Sequence, residues 1–228
     1  MENTLIIFDI DGTLTDSKAV DDQCFIDTFS ELFDINLNEI NWKEFEDVTD
    51  TGLSREIIKK YKKREISKTI LKKIQRLFFR KLRHAMDQDP DSCRAITGAQ
   101  EFLNLLQEKQ IPLCLATGGW RKSAEMKLKQ AELPYEPFTL ATSSDHYKRR
   151  TIINVAIARA QFEYQQKFSK FIYFGDGIWD VRVCEAMGIP IVGVDFHQSG
   201  KLEKVPYVSA VIKDFEDTNR LLDLIKKA

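Results

Sequence analysis

Four aspartates occur in two short motifs whose carboxylates suit the binding of a cation. Asp9 and Asp11 follow an apolar run at residues 5–8, and Asp176 and Asp180 stand in and after a Gly-Asp-Gly turn that follows another apolar run. If the extended geometry continues, alternation along a strand directs Asp9 and Asp11 to the same side. Carboxylates gathered in one pocket suit a hard ion such as Mg²⁺, which takes few protein ligands. Asp-Gly is also a common turn pair, so the first motif alone is equally consistent with an ordinary turn.

Hydroxyl and cationic side chains follow two further apolar runs. Thr117 precedes Gly118 and Gly119, and the hydroxyl with these backbone N–H groups suits an anionic oxygen. Lys148 and Arg149 stand just before a helical pattern, so a cation can lie beside the same crevice. In isolation the first segment is typical of a strand-to-helix connection and the second of a solvated loop. The four segments together favour a shared site for a metal and an anion.

Six short runs of β-branched or aromatic residues predict the strands that must position these side chains. The runs lie at residues 5–8, 113–116, 138–141, 171–174, 191–194 and, more weakly, 208–212. Amphipathic helical patterns separate the later runs, and this alternation is typical of a parallel sheet covered by helices on both faces. We therefore predict an α/β fold with a doubly wound parallel sheet. Ligands of such sheets bind at the carboxyl ends of the strands, where the candidate residues fall.

Residues 17–89 interrupt the alternation and predict an all-helical insertion. No convincing strand pattern occurs there, and apolar residues recur at steps near three and four from Ile58 to Leu82, which predicts one long helix or two shorter ones. Residues 59–83 hold twelve Lys or Arg and a single acid, Glu65. Such a run is most typical of a solvated helix face. The alternative is a lid that raises the local concentration of phosphorylated substrates.

Length and composition are those of a folded globular protein and exclude several other classes. The 228 residues are 43% hydrophobic and 30% charged, and a net charge of −1 gives no general attraction to nucleic acid or anionic membranes. The four cysteines are far apart and form no zinc motif, which favours reduced thiols and a cytoplasmic location. The first apolar run is too short for a signal peptide or a membrane span. No Gly-x-Gly-x-x-Gly follows it, which argues against a nucleotide-binding Rossmann module.

The four segments resemble the motifs of the haloacid dehalogenase-like hydrolases, in that family's order. The matching residues are Asp9-x-Asp11-Gly12-Thr13, Thr117, Lys148 or Arg149, and Gly175-Asp176-x-x-x-Asp180. The resemblance covers residues 1–15 and 92–228, and it implies that they form a Rossmann-like hydrolase core. The insertion at 16–91 is similar to the family's helical cap by position and character rather than by motif. It indicates the capped branch, which includes phosphoglycolate phosphatases and β-phosphoglucomutase-like enzymes.

The resemblance implies a phosphoric monoester hydrolase that works through a covalent aspartyl phosphate. Asp9 would attack phosphorus as the nucleophile. Asp11 would protonate the leaving alcohol and then take a proton from the hydrolytic water. An acid at this second position favours phosphate esters over the substrates of the family's dehalogenases. Thr117 and the backbone of Gly118 would hold the transferring oxygens.

The third motif departs from the family, because the common Lys-Pro is absent. Arg149 is our first choice for the catalytic cation, because its spacing before the helical pattern resembles that in a branch of the family that uses Arg here, and Lys148 is the alternative. The implied cofactor is Mg²⁺. Its implied ligands are the Asp9 carboxylate, the Asp11 backbone carbonyl and Asp176, with Asp180 supporting the ion's water.

Three alternatives within and beyond the family stay open. Residues 51–56 are similar to the family's substrate-specificity loop, in which Arg55 would clasp a remote phosphate or carboxylate, but they are equally consistent with a helix start capped by Ser54. The family's sugar phosphomutases carry a histidine twelve residues after the nucleophile, and Asp21 stands there, which weakens the mutase alternative. A non-catalytic relative would bind a phosphate compound or a partner. We expect a small phosphorylated metabolite as substrate and predict neither its identity nor the oligomeric state.

Overall fold

A computed structural model describes residues 3–227, so residues 1, 2 and 228 of the predicted core segments lie outside the described part. Within residues 3–227 there are eight strands: β1 (Thr4–Phe8), β2 (Thr15–Asp16), β3 (Arg94–Ala95), β4 (Leu113–Ala116), β5 (Thr139–Ala141), β6 (Lys170–Gly175), β7 (Ile191–Val194) and β8 (Val208–Ile212). The same part contains eight α-helices: α1 (Lys18–Phe33), α2 (Asp50–Lys62), α3 (Lys68–Gln88), α4 (Ala99–Glu108), α5 (Arg121–Gln130), α6 (Arg149–Glu163), α7 (Ile178–Met187) and α8 (Thr218–Lys227).

The main sheet has six parallel strands in the order β5-β4-β1-β6-β7-β8. In the central strand β1, Phe8 pairs with Leu115 of β4 and with Phe174 of β6. The chain adds β4 and β5 on one side of β1 and β6 to β8 on the other, so the winding reverses at β1. α/β proteins bind their ligands at such a switch point. The predicted doubly wound α/β fold is confirmed, and all six predicted strands are present.

The residues of β1 alternate between two buried faces, as the period of a strand requires. Ile6 and Phe8 belong to the apolar cluster that contains residues of α4, α5 and α8. Leu5 and Ile7 belong to the cluster that contains residues of α6 and α7. Because helices cover both faces, the strand is a continuous apolar run rather than an alternating one.

The insertion folds as three helices, α1 to α3, around a third apolar cluster. Phe25, Phe29 and Phe78 belong to this cluster, and Trp120 joins it from the segment before α5, with its ring 5.2 Å from that of Phe78. The chain enters and leaves the insertion through β2 and β3, which pair antiparallel. The separate cluster supports a division of the chain into a core and a cap at 16–91, and these boundaries stay a prediction.

Helix α2 of the cap begins at a different residue from the one considered in the sequence analysis. Thr49 is the N-cap of α2, and its hydroxyl accepts a hydrogen bond from the backbone N–H of Gly52 at 3.1 Å. Ser54 is buried inside α2, so its assignment as an N-cap is wrong. A left-handed Lys63 ends α2, and Ser67 caps α3. The long apolar stripe therefore belongs to two helices.

The basic segment 59–83 covers the end of α2 and most of α3. All of its cations except Lys81 are exposed, and the buried residues of α3 are apolar. This exposure favours the interpretation as a solvated helix face. No helix within residues 3–227 is long and apolar enough to cross a membrane.

Candidate active site

Asp9 lies at the carboxyl end of β1, in the middle of the sheet, and is buried. Its backbone N–H donates to the carbonyl oxygen of Phe174 at 3.0 Å, which continues the strand pairing past β1. Among the described residues no group hydrogen-bonds Oδ1 of Asp9, and Oδ2 lies 3.6 Å from Nη1 of Arg149. Burial and then the carboxylate of Asp180 raise the pKa of Asp9 well above its ordinary value. A buried carboxylate with an unused oxygen needs a further cation or a proton.

Asp176 and Asp180, which follow β6, meet Asp9 at the same edge of the sheet. One carboxylate oxygen from each of the three residues lies within 4.8 Å of the others. This set of oxygen donors, together with the unpartnered Oδ1 of Asp9, fits Mg²⁺. Oδ2 of Asp176 also accepts a hydrogen bond from Nζ of Lys201 at 3.1 Å. Three of the four residues proposed from the sequence, Asp9, Asp176 and Asp180, could therefore hold the ion, and their role as ligands and that of the Asp11 backbone stay predictions.

Asp180 differs from the other two acids because its oxygens already have partners. Oδ1 lies 2.8 Å from Nη1 of Arg149 and 3.1 Å from the hydroxyl of Tyr173. Oδ2 accepts from the backbone N–H of Gly177 at 3.0 Å. Burial raises the pKa of Asp180, and the Arg149 guanidinium opposes this effect. Its contacts fit a support for Arg149 at least as well as a ligand of the ion.

Asp11 is bound by a lysine that the sequence analysis did not identify. Nζ of Lys127 lies 2.6 Å from Oδ1 of Asp11 and 2.7 Å from Oδ1 of Asp21 in the cap. Although burial lowers the pKa of Lys127, the nearby carboxylates outweigh this effect and raise it above its ordinary value. Helical spacing was the signal in the sequence that could have identified Lys127 as buried, because this residue shares the buried face of α5 with Ala124 and Leu128.

The turn after β4 brings a hydroxyl and two glycines to the site. Oγ1 of Thr117 accepts a hydrogen bond from the backbone N–H of Gly119 at 3.1 Å. A Cβ on Gly118 would collide with Nη2 of Arg149 and lie 2.9 Å from the carbonyl oxygen of Val48. Only glycine therefore fits at position 118, between Arg149 of the core and Val48 of the cap.

The two candidate cations of the third motif point to different surroundings. Arg149 is buried, with Nη1 near Asp9 and Asp180. Lys148 is exposed, and its Nζ lies 5.9 Å from the ring centroid of Tyr147. Arg55, in α2, lies over the same ring at 4.7 Å. The structure thus brings Arg149 to the predicted nucleophile, whereas Lys148 and Arg55 are absent from the described residues that line the cavity.

A cavity of about 70 Å³ separates these core residues from the cap. Its lining includes residues not singled out as site residues from the sequence: Lys18, Asp21, Asp22, Val48, Thr49, Asp50, Leu53 and Trp179. Asp50 ties the cap to the turn after β4, because its backbone N–H donates to the carbonyl oxygen of Gly118 and its carboxylate accepts from the backbone N–H of Trp120, both at 2.8 Å. Trp179 belongs to the core and lies within the motif at 175–180, whereas the other residues of this set belong to the cap and share no single short motif.

Comparisons with known proteins agree with this geometry. The sequence profile of the haloacid dehalogenase-like hydrolases matches residues 6–194. No curated protein sequence matches the chain. Among solved structures, a hydrolase from Pseudomonas syringae is 23% identical with a TM-score of 0.73, over 96% of this chain and 98% of that one.

Two further solved structures are similar in fold. A β-phosphoglucomutase from Clostridium difficile is 13% identical, with a TM-score of 0.74 over 100% of this chain and 98% of that one. A variant of CbbY from Rhodobacter sphaeroides, solved with xylulose-(1,5)bisphosphate, is 16% identical, with a TM-score of 0.70 over 93% and 95% of the two chains. Since the family profile spans most of the sequence, this chain belongs to the haloacid dehalogenase-like hydrolases.

Proposed function

We propose that the chain is a Mg²⁺-dependent phosphatase that hydrolyses a small phosphomonoester through an aspartyl phosphate on Asp9. The observation that carries the proposal is the buried Asp9 carboxylate, whose Oδ1 has no hydrogen-bond partner among the described residues. Asp176, Arg149 and the turn at Thr117 surround the same cavity. A nucleophile, a cation and approachable N–H groups are the parts that phosphoryl transfer needs.

The reaction has two displacements at phosphorus. A carboxylate oxygen of Asp9 attacks phosphorus, the ester bond breaks, and Asp11 donates a proton to the departing alkoxide. Water then attacks phosphorus, Asp11 takes its proton, and the Asp9 carboxylate leaves with phosphate as the product. When bound, Mg²⁺ neutralises the repulsion between the carboxylate and the phosphate.

The neighbouring residues hold the transferring group and the nucleophile. The guanidinium of Arg149, fixed by Asp180, carries a positive charge beside Asp9. The hydroxyl of Thr117 and the backbone of Gly118 supply polar contacts for the phosphoryl oxygens. Lys127 keeps Asp11 turned toward the cap side of the cavity.

Hydrolysis is favoured over a sugar phosphomutase by the contacts of Asp21. This residue stands where family phosphomutases carry a histidine, and its carboxylate is bound to Lys127. The similarity to CbbY, whose solved complex holds a sugar bisphosphate, supports a small phosphorylated metabolite as substrate. The buried free cysteines support a cytoplasmic location.

The test is hydrolysis of p-nitrophenyl phosphate by the purified chain, with and without Mg²⁺. We expect turnover that requires the metal and that Asp9→Asn abolishes. Asp11→Asn should lose at least roughly 100-fold in kcat, because it removes general acid and base help. Lack of metal-dependent turnover on this ester and on a panel of phosphorylated metabolites would contradict the proposal, and so would full activity of Asp9→Asn.

A further inference from the structure

The charged side chains that line the cap side of the cavity are mostly acidic. Among the described residues of the cap, the charged side chains that line the cavity are Asp21, Asp22 and Asp50, with Lys18 as the single cation. Lys18 is already paired, since its Nζ lies 2.9 Å from Oδ2 of Asp22, one turn away on α1. Lys127 reaches this region from the core, and it is shared between Asp21 and Asp11. Asp50 lacks a cationic partner within 4.0 Å among the described residues, and accepts a backbone hydrogen bond instead.

No unpaired cation therefore faces the leaving group among the described residues of the cap. Arg55 stacks over the ring of Tyr147 and does not line the cavity. The cations of segment 59–83 do not line it either. A leaving group with a second phosphate or a carboxylate would meet carboxylates on this side without a free positive charge to bind it.

The cavity is also small. Its volume of about 70 Å³ corresponds to roughly five water molecules. A phosphate group takes the place of several of these waters, which leaves limited room for the leaving group while the cap is in this position.

We infer that the substrate is the phosphate ester of a small alcohol whose leaving group carries no negative charge, and that an ammonium group on it is favoured. This inference rests on the proposed function and deepens it. Asp22 would determine which charge on the leaving group is accepted. It lines the cavity from α1, and its ion pair with Lys18 occupies the cation that an anionic leaving group would need.

Three esters of equal length separate charge from size. Phosphoethanolamine, 2-hydroxyethyl phosphate and 2-phosphoglycolate share a two-carbon leaving group that ends in an ammonium, a hydroxyl or a carboxylate. We expect kcat/KM to fall in that order, with phosphoglycolate about 10-fold or more below phosphoethanolamine, because one charge at this range in a partly buried site is worth at least that factor. Dissociation constants measured by calorimetry with Asp9→Asn, which is expected to bind substrate without turnover, should follow the same order.

Asp22→Asn tests the residue that reads the charge. It removes one carboxylate and releases Lys18, so the ratio of phosphoglycolate to phosphoethanolamine binding should rise about 10-fold or more. The matched control is Asp27→Asn, the same exchange at an exposed position of α1, where the carboxylate accepts from Gln23 at 2.8 Å. This control should leave the ratio unchanged.

The outcomes distinguish this inference from the proposed function. If the chain hydrolyses p-nitrophenyl phosphate with Mg²⁺ but binds phosphoglycolate as well as or better than phosphoethanolamine, the charge inference is overturned and the phosphatase stands. An equal ratio in wild type and Asp22→Asn likewise overturns it. If no phosphomonoester is turned over while the binding order holds in Asp9→Asn, the charge selectivity stands and the phosphatase fails.

Discussion

Lys127 links the predicted acid and base of the core to the cap. It is fully buried, and its ammonium group binds Asp11 and Asp21 at 2.6 and 2.7 Å. A buried ion pair adds little to stability compared with an apolar replacement, but the loss of one partner leaves an uncompensated charge. Here that loss would leave two carboxylates facing each other.

Replacement of Lys127 should therefore lower the stability of the folded protein. We expect Lys127→Met to lower the free energy of unfolding by about 3 kcal/mol or more, as measured by urea denaturation. Adding Asp21→Asn should recover part of the loss, because one of the two unpaired carboxylates becomes neutral. If the double variant is no more stable than Lys127→Met, the three residues do not form one charge network.

The neighbouring residues Lys148 and Arg149 offer a matched comparison. Arg149→Ala should lower kcat by roughly 100-fold or more, since it removes the cation nearest Asp9. Lys148→Ala should keep nearly full activity because that side chain is exposed. Arg149→Lys, which keeps the charge but loses the second nitrogen contact, should recover part of the rate. A larger loss in Lys148→Ala would show that the third-motif cation is Lys148.

At the scale of elements, the turn between β1 and the cap packs closely against Asp176, the acid that follows β6. Gly12 has a φ of +75°, and a Cβ there would lie 2.7 Å from Cγ of Asp176. The backbone N–H of Gly12 also donates to the carbonyl oxygen of Thr15 at 2.8 Å, which closes the turn. The absence of a side chain at position 12 thus lets two strand ends approach each other closely.

Gly12→Ala should consequently damage both stability and metal binding. A left-handed alanine costs about 1 kcal/mol, and the collision with Asp176 should weaken the activation by Mg²⁺ in addition. Gly188→Ala is the control, since φ is +68° there and nothing lies within 4 Å of an added Cβ. Urea denaturation and Mg²⁺ titration of the activity measure the two effects. If Gly188→Ala weakens the response to Mg²⁺ as strongly, the effect comes from backbone strain rather than from Asp176.

At the scale of the whole molecule, two of the three apolar clusters contain the four cysteines of the chain. Cys24, Cys93, Cys114 and Cys184 are free and buried. Burial raises the pKa of the Cys24 thiol to about 11 and that of Cys93 to about 12. These thiols are therefore protonated and screened at neutral pH, and the thiolate is the reactive form.

Labelling by Ellman's reagent at pH 8 checks this arrangement. The native protein should react much more slowly than a free thiol, whereas protein unfolded in guanidinium chloride should release four equivalents. Rapid reaction of one equivalent in the native protein would mean that a cluster opens readily. Fewer than four equivalents after unfolding would mean that a disulfide is present.

The sequence by itself determined the six strands of the main sheet and the motifs at their ends, whereas the order of the strands in the sheet and the short strands β2 and β3 came from the structure. The six strands and the motifs are local features, since apolar runs, helical spacing and turn residues report on the few positions around them. Asp9, Thr117 and Asp176 could be selected because parallel strands bring their carboxyl ends to one edge. The cap helices were also predictable, although the N-cap of α2 is Thr49 instead of Ser54.

Only the tertiary structure decided which side chains meet across the cavity. Lys148 is the extended N-cap of α6 and is exposed, whereas Arg149, the first residue of the helix, is buried beside Asp9 because of the way α6 packs on the sheet. The pairing of Lys127 with Asp11 joins residues 116 positions apart, and nothing in the local pattern of either residue specifies it. A partner in space depends on how whole elements pack, and that information is spread over the entire core rather than held in any motif.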